Sequence, residues 1–206
     1  MCSLLIQHNA DTLLATLAKE RISKEAKDHP IIWIAHSLGG ILVKRALEIS
    51  SDPPAQMVGL RSIYTSTYGV MFLGTPHNAA DPAKWRLMLQ AISSAAMPRD
   101  FLEFERQLLK MLPINDRTLL DINFNFLNIY PNRLKVCMAL ERIGTDLEGT
   151  RSLIVDEVVA GPRLPDVDYF EIEATHLALC KFESENSPGY SNISHTLKSW
   201  VQEGGC

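Results

Sequence analysis

Apolar and polar residues follow two different periods along this chain, and the change of period predicts alternating helices and strands. From Leu4 to Lys27 the apolar residues recur at helical spacing with charged residues between them, which predicts an amphipathic helix lying on a sheet. Two unbroken apolar runs follow at 31–35 and 68–73, and such runs are typical of buried parallel strands. The pattern therefore predicts an α/β fold with a mostly parallel sheet flanked by helices.

The second half of the chain adds further elements of the same kind. A third apolar run at 134–141 ends in Glu141, and residues 169–174 alternate as in a half-exposed edge strand that leads into His176. Residues 142–151 are predicted to be a loop, and residues 152–156 fit either a short strand or a packed loop. Residues 191–202 predict a closing helix. One domain spanning residues 1–206 accommodates all of these elements.

Residues 81–132 contain helical patterns at 85–95, 101–112 and 119–129 and no long strand-like run. A helical insertion of this length between two strands is typical of a cap over an active site. Its apolar residues either line a pocket for an acyl chain or pack the insertion onto the body, and packing is the commoner role of such residues. The residues concerned are Phe101, Phe104, Leu108, Phe124 and Phe126.

The candidate chemistry is concentrated where the first apolar run meets the helical pattern that follows it. Small-x-Ser-x-Gly between a strand and a helix is the nucleophile-elbow pattern of α/β-hydrolases, in which the serine has a strained backbone and an exposed hydroxyl. The alternative is an ordinary turn whose serine caps a helix. The elbow interpretation requires small residues at Ala35 and Gly39, to avoid collisions, and it makes the Leu38 N–H an oxyanion donor. The full segment is Ala35-His36-Ser37-Leu38-Gly39-Gly40.

A serine hydroxyl becomes a good nucleophile only when an imidazole takes its proton and a carboxylate orients that imidazole. In α/β-hydrolases the chain order is serine, acid, histidine. His176 is the one histidine that directly follows a late strand, whereas His77 precedes both candidate acids. Glu141 ends a strand and is the favoured acid; Asp156 remains the alternative.

Composition and charge narrow the classes of partner. The apolar fraction of 46% and the charged fraction of 21% are those of an ordinary globular protein. A net charge of -4 without a Lys/Arg-rich run argues against nucleic acid. The sequence shows neither a membrane-span pattern nor a signal-peptide pattern.

The spacing of the cysteines and glycines indicates no disulfide framework and no cofactor site. Four cysteines without paired or metal-ligand spacing favour a reducing, intracellular and cytoplasmic setting. They are Cys2, Cys137, Cys180 and Cys206. The sequence shows no metal-site spacing and no Gly-rich phosphate loop, so we expect neither a metal nor another cofactor.

Taken together, these motifs resemble the lipase-like serine-esterase family of α/β-hydrolases, found in fungal proteins and in a mitochondria-associated phospholipid-remodelling relative. The resemblance implies a Ser37 nucleophile, a His176 base and Glu141 as the acid. In fungi such domains often stand at the amino end of larger signalling proteins, which implies a multidomain context. The matching segments are 32–44, Gly74-Thr75-Pro76-His77, the strand ending at Glu141, Ile154-Val155-Asp156, and His176 with Cys180-Lys181-Phe182.

One departure from the family accompanies the match. Family members begin with a strand and a His-Gly loop that supplies a second oxyanion donor, and neither precedes the first helix here, so we expect a fold truncated at its N-terminus. The predicted function is a serine carboxylester hydrolase that acts on a small-molecule or lipid ester through an acyl-enzyme. The alternatives are a non-catalytic interaction or signalling module, an inactive fragment of a larger protein, and a protease of the same fold.

Overall fold

A parallel four-stranded sheet forms the centre of the computed structural model, which describes residues 2–53, 57–77, 118–147, 150–160 and 164–204. The predicted α/β fold with a parallel sheet flanked by helices is confirmed. The strands, in their order across the sheet, are β1 (Ile31–His36), β2 (Thr67–Leu73), β3 (Lys135–Glu141) and β6 (Val167–Ile172). Two short strands, β4 (Thr145–Leu147) and β5 (Thr150–Ser152), form a separate antiparallel pair.

Helices cover both faces of the sheet: α1 (Cys2–Ser23), α2 (Gly39–Ser51), α3 (Val58–Ser66), α4 (Thr118–Ile129), α5 (Glu157–Ala160) and α6 (Tyr190–Gly204). Alternate β2 residues point to opposite faces, so that Phe72 packs with α2 and α4 on one side and Met71 packs with α6 on the other. Helix α1 forms an outer layer, where Leu14 packs against Ala46 of α2 and Ile63 of α3.

Three local expectations were wrong. Strand β1 is not fully buried: within the described ranges it pairs with β2 alone, and Ile34 is 55% exposed. On α1 the buried stripe runs through Ile6, Ala10 and Leu14, whereas Leu4 and Ile22 are exposed. The predicted loop at 142–151 contains β4 and β5, because residues 145–147 pair with residues 150–152.

The predicted insertion at 81–132 is described only at its end, as α4. Phe126 is buried and its ring lies edge-on to Phe72 at 5.6 Å, so this aromatic residue packs the core, while Phe124 is exposed. The predicted helical patterns at 85–95 and 101–112, with Phe101, Phe104 and Leu108, lie outside the described residues. No helix among those that the structure describes is long and apolar enough to cross a membrane.

The register of the sheet brings the carboxyl ends of the strands together. His36 pairs with Leu73, Leu73 pairs with Ala139, and Glu141 pairs with Ile172. The segments that follow these ends carry Ser37 and His176. In parallel α/β sheets this edge is where ligands bind.

Candidate active site

Ser37 occupies the tight turn between β1 and α2. Its φ of 53° lies in the left-handed region, which is unfavourable for a residue with a side chain. Three hydrogen bonds hold this conformation: the Ser37 N–H donates to the Leu73 carbonyl at 2.9 Å, and the Ser37 carbonyl accepts from the Thr75 hydroxyl and the Gly40 N–H, each at 3.1 Å. The end of β2 therefore fixes the backbone of Ser37.

The steric requirement of this turn falls on a different glycine from the one expected. A Cβ on Gly39 would meet nothing within 4 Å among the described residues, so the expected collision at that position is not found. A Cβ on Gly40 would lie 2.2 Å from Thr75 Oγ1, closer than any real contact. Ala35 is buried in the core beside Val43 and Leu47, in agreement with a need for a small residue there.

His176 lies beyond the end of β6, in a single 3-10 turn (His176–Ala178), and has no exposed surface. Its Nε2 is 2.9 Å from Ser37 Oγ, and its Nδ1 is 2.6 Å from Glu141 Oε2. With the imidazole neutral, Nδ1–H donates to the carboxylate and Nε2 accepts from the Ser37 hydroxyl. The three side chains form one hydrogen-bonded line across residues far apart in sequence.

The carboxylate in this line is held from its other side as well. Glu141 Oε1 accepts hydrogen bonds from the N–H groups of Ile154 and Val155, the second at 3.1 Å. The alternative acid, Asp156, accepts the Val159 N–H at 2.9 Å through Oδ1, so it caps the short helix α5. The 152–156 segment thus orients Glu141 through its backbone.

His36 makes a contact with His176 that nothing in the sequence pattern suggests. Its Nε2–H donates to the carbonyl of His176 at 2.8 Å, and the two ring centroids are 5.0 Å apart. Burial, followed by the proximity of His176, lowers the pKa of His36 to about 4. The side chain at the variable position of the motif is therefore a neutral hydrogen-bond donor at neutral pH.

A second buried polar cluster surrounds Lys44 of α2. Lys44 Nζ lies 2.6 Å from both His77 Nδ1 and Asn123 Oδ1, and it lies over the rings of Phe72 and Phe126 at 5.3 and 5.2 Å. Burial lowers the pKa of Lys44 to about 7, and burial together with the Lys44 charge lowers the pKa of His77. The structure places His77 against Lys44, and this cluster was missed because its members are 33 and 79 residues apart.

Leu38 begins the turn into α2 and is buried. Its N–H makes no hydrogen bond to the backbone of the described residues. A free N–H at a helix N-terminus is suited to an anionic oxygen. Within the same ranges, no group of three His, Cys, Asp or Glu side chains is arranged to hold a metal ion.

The sequence of this chain is similar to parts of several vertebrate proteins. No family model matches the chain. It is 29% identical to Protein SERAC1 of Danio rerio over 162 residues, which are 78% of this chain and 22% of that protein. It is 25% identical to Protein SERAC1 of Homo sapiens over 155 residues, which are 75% of this chain and 21% of that protein. The chain thus spans about a fifth of the length of the curated relatives that it matches.

One solved structure is also similar. It comes from a study of carboxylesterases of the Thaumarchaeon Nitrososphaera gargenis, with a TM-score of 0.42 and 11% sequence identity over 94% of this chain and 73% of that one. The chain is therefore similar in sequence to one segment of Protein SERAC1.

Proposed function

We propose that this chain is a serine carboxylester hydrolase in which Ser37 is the nucleophile, His176 the general base and Glu141 the acid that orients it. The observation that carries the proposal is the pair of hydrogen bonds on the two nitrogens of His176, at 2.9 Å to Ser37 and 2.6 Å to Glu141. The left-handed turn at Ser37, between a strand and a helix, supports its assignment as a nucleophile elbow.

In the first half of the reaction, Ser37 Oγ attacks the ester carbonyl while His176 Nε2 takes its proton. Glu141 stabilises the imidazolium through Nδ1–H, and the Leu38 N–H donates to the oxyanion. His176 then gives the proton to the departing alkoxide, which leaves as the alcohol. Water, activated by His176, cleaves the acyl-Ser37 ester and releases the carboxylic acid.

The substrate that we propose is a small-molecule or lipid ester. The proposal rests on the apolar helical patterns at 85–95 and 101–112 in the sequence, which suit an acyl chain, and on the family resemblance. We further propose that the domain acts inside a larger intracellular multidomain signalling protein. The relatives support this, because they are about five times longer than the segment that they share with this chain.

A specific observation favours a second candidate, a non-catalytic module with a hydrolase-like fold. Ser37 and His176 have no exposed surface, so a substrate reaches Oγ only if neighbouring groups move. Leu38 is the one oxyanion donor that we assign within the described ranges, and loss of such a donor costs on the order of a hundredfold or more in rate. A module that recruits a partner without turnover needs neither access nor a second donor.

The deciding experiment is labelling with a small fluorophosphonate, together with hydrolysis of a short-chain p-nitrophenyl ester. Wild type, Ser37→Ala and Ser50→Ala are compared, because Ser50 is another fully buried serine, on α2, whose hydroxyl donates to the Leu47 carbonyl. Labelling and turnover that persist in Ser50→Ala and vanish in Ser37→Ala support the hydrolase. A folded wild type that shows neither favours the non-catalytic module.

A further inference from the structure

The residue before the candidate nucleophile is bonded to the backbone of the candidate base. His36 ends β1, and His176 begins the 3-10 turn after β6, so the two are 140 residues apart in sequence and come from opposite edges of the described sheet. His36 Nε2 lies 2.8 Å from the His176 carbonyl oxygen. A carbonyl only accepts, so Nε2 carries the proton and donates it.

This bond is the shorter of the two that the His176 carbonyl accepts within the described residues. The other donor, the Leu179 N–H inside the 3-10 turn, lies at 3.4 Å, near the limit for a hydrogen bond. A single 3-10 turn of three residues has little stability of its own. The Ala178 N–H also donates to the Thr175 carbonyl at 2.9 Å, so the turn holds its start, and the bond from His36 is the short contact that the His176 carbonyl itself accepts.

The position of the imidazole depends on this backbone. Glu141 and Ser37 bond the two ring nitrogens, but neither fixes the Cα from which the ring projects. The His36 ring lies tilted against the His176 ring, with 5.0 Å between centroids, so it limits the ring from a second direction. Catalytic hydrogen bonds tolerate little displacement, since a shift of about 1 Å can cost about a hundredfold in rate.

We propose that His36 is a positioning residue, which holds His176 so that Nε2 stays within hydrogen-bonding distance of Ser37 Oγ. The proposal deepens the proposed hydrolase function and rests on it. His36 positions His176 through its Nε2–H donor. Another side chain can replace His36 if it carries a hydrogen-bond donor at the same distance from Cα. The amide nitrogen of glutamine meets that requirement, whereas methionine has a similar length and no donor.

The test compares wild type, His36→Gln and His36→Met, with His195→Met as the matched control. His195 is an exposed histidine on α6, so its substitution tests for a general effect of replacing a histidine by methionine. The kcat and KM for a short-chain p-nitrophenyl ester are measured separately. We expect His36→Met to lower kcat by about a hundredfold with little change in KM, and His36→Gln and His195→Met to retain most of the wild-type kcat.

A second readout does not require turnover. The Nδ1 proton of His176, shared with Glu141 at 2.6 Å, is expected to give a strongly downfield proton resonance in the wild-type NMR spectrum. We expect this resonance to be kept in His36→Gln and lost or broadened in His36→Met. If His36→Met does not fold, His36→Asn takes its place, because the shorter amide does not reach the carbonyl.

The two proposals fail in different ways. A His36→Met protein that keeps both the resonance and kcat overturns the role of His36, as does an equal loss in His36→Gln and His36→Met. A wild type without labelling or turnover, in which the resonance still follows the donor at position 36, overturns the hydrolase while the positioning of His176 by His36 stands.

Discussion

The Thr75 hydroxyl donates a hydrogen bond of 3.1 Å to the Ser37 carbonyl. The same side chain fills the space beside Gly40, where a Cβ would lie 2.2 Å from Oγ1 and 2.8 Å from the Thr75 Cβ. One buried threonine thus fixes the strained turn and also excludes a side chain at position 40 of α2. The requirement for glycine here comes from the segment after β2.

Gly40→Ala is expected to destabilise the protein by about 2 kcal/mol, because the new methyl group collides with the buried Thr75 side chain. That side chain cannot move away freely, since its hydroxyl is bonded to the Ser37 carbonyl. Gly39→Ala is the matched control, and its free energy of unfolding should change by no more than about 0.5 kcal/mol, since nothing lies near that Cβ. Urea unfolding measures both. Equal effects of the two substitutions would contradict the steric assignment.

Glu141→Gln is expected to lower kcat by about ten-thousandfold. The amide still accepts from the N–H groups of Ile154 and Val155, but its NH₂ then faces His176 Nδ1 and favours the wrong tautomer of the imidazole. Asp156→Asn is the control, because asparagine caps a helix as well as aspartate does and should keep both stability and activity. Ester hydrolysis by the two variants measures this, and a larger loss in Asp156→Asn would reverse the choice of acid.

Lys44 should make stability depend on pH in the alkaline range. Its pKa is lowered from 10.5 to about 7 on folding, so between these values the unfolded chain binds more protons than the folded protein, and stability rises with pH. The rise should reach about 1.4 kcal/mol per pH unit in the middle of that window. Below pH 7 both states are protonated, and the contribution becomes constant.

Lys44→Met isolates this effect from pH 7 to pH 10, because burial keeps the pKa of His77, the titratable group that Lys44 contacts, below that range in both proteins. The measured quantity is the difference between the unfolding free energies of wild type and Lys44→Met from pH 7 to pH 10. We expect the unfolding free energy of wild type to increase relative to that of Lys44→Met as pH rises. A difference that stays flat over this range would mean that Lys44 keeps its charge in the folded protein.

Gly74→Ala should impair activity by displacing His176, the proposed general base. Gly74 has a φ of 58°, and a Cβ there would lie 2.7 Å from Leu179 Cδ1 and 3.1 Å from His176 Nδ1. The methyl group is therefore expected to displace the His176 ring and to lower kcat by about a hundredfold. Gly59→Ala, on α3 and with open space at its Cβ, should keep full activity and change the free energy of unfolding by no more than about 0.5 kcal/mol. Activity retained in Gly74→Ala would show that the ring adapts.

Local patterns were sufficient to predict most of the sheet. Unbroken apolar runs located β1, β2 and β3, alternation located β6, and helical spacing located α1 and α6. The end of a strand also indicates where the Glu141 side chain lies, because its register partner Ile172 is four residues before His176. Parallel pairing of β3 with β6 brings Glu141 and His176 to the same edge of the sheet. The chain order and the strand ends are therefore enough to predict that these two residues are neighbours.

What the sequence did not predict depends on contacts between distant segments. The requirement for glycine at position 40 comes from Thr75, and the exposure of Ile34 comes from its place on an edge strand. The bond from His36 to His176 and the cluster around Lys44 join segments whose proximity follows only from the packed fold. Periodicity describes which face of an element is buried and not what covers it.

The bond between Ser37 and His176 closes a loop of 139 residues, and the one from His36 closes a loop of 140. Closing loops of this length costs chain entropy before the contacts can stabilise the fold, and a topology with many such contacts folds slowly. The helices are local and form early by comparison. During refolding the far-ultraviolet signal of helix should thus recover before reactivity at Ser37, which makes that hydroxyl a reporter of the final assembly step.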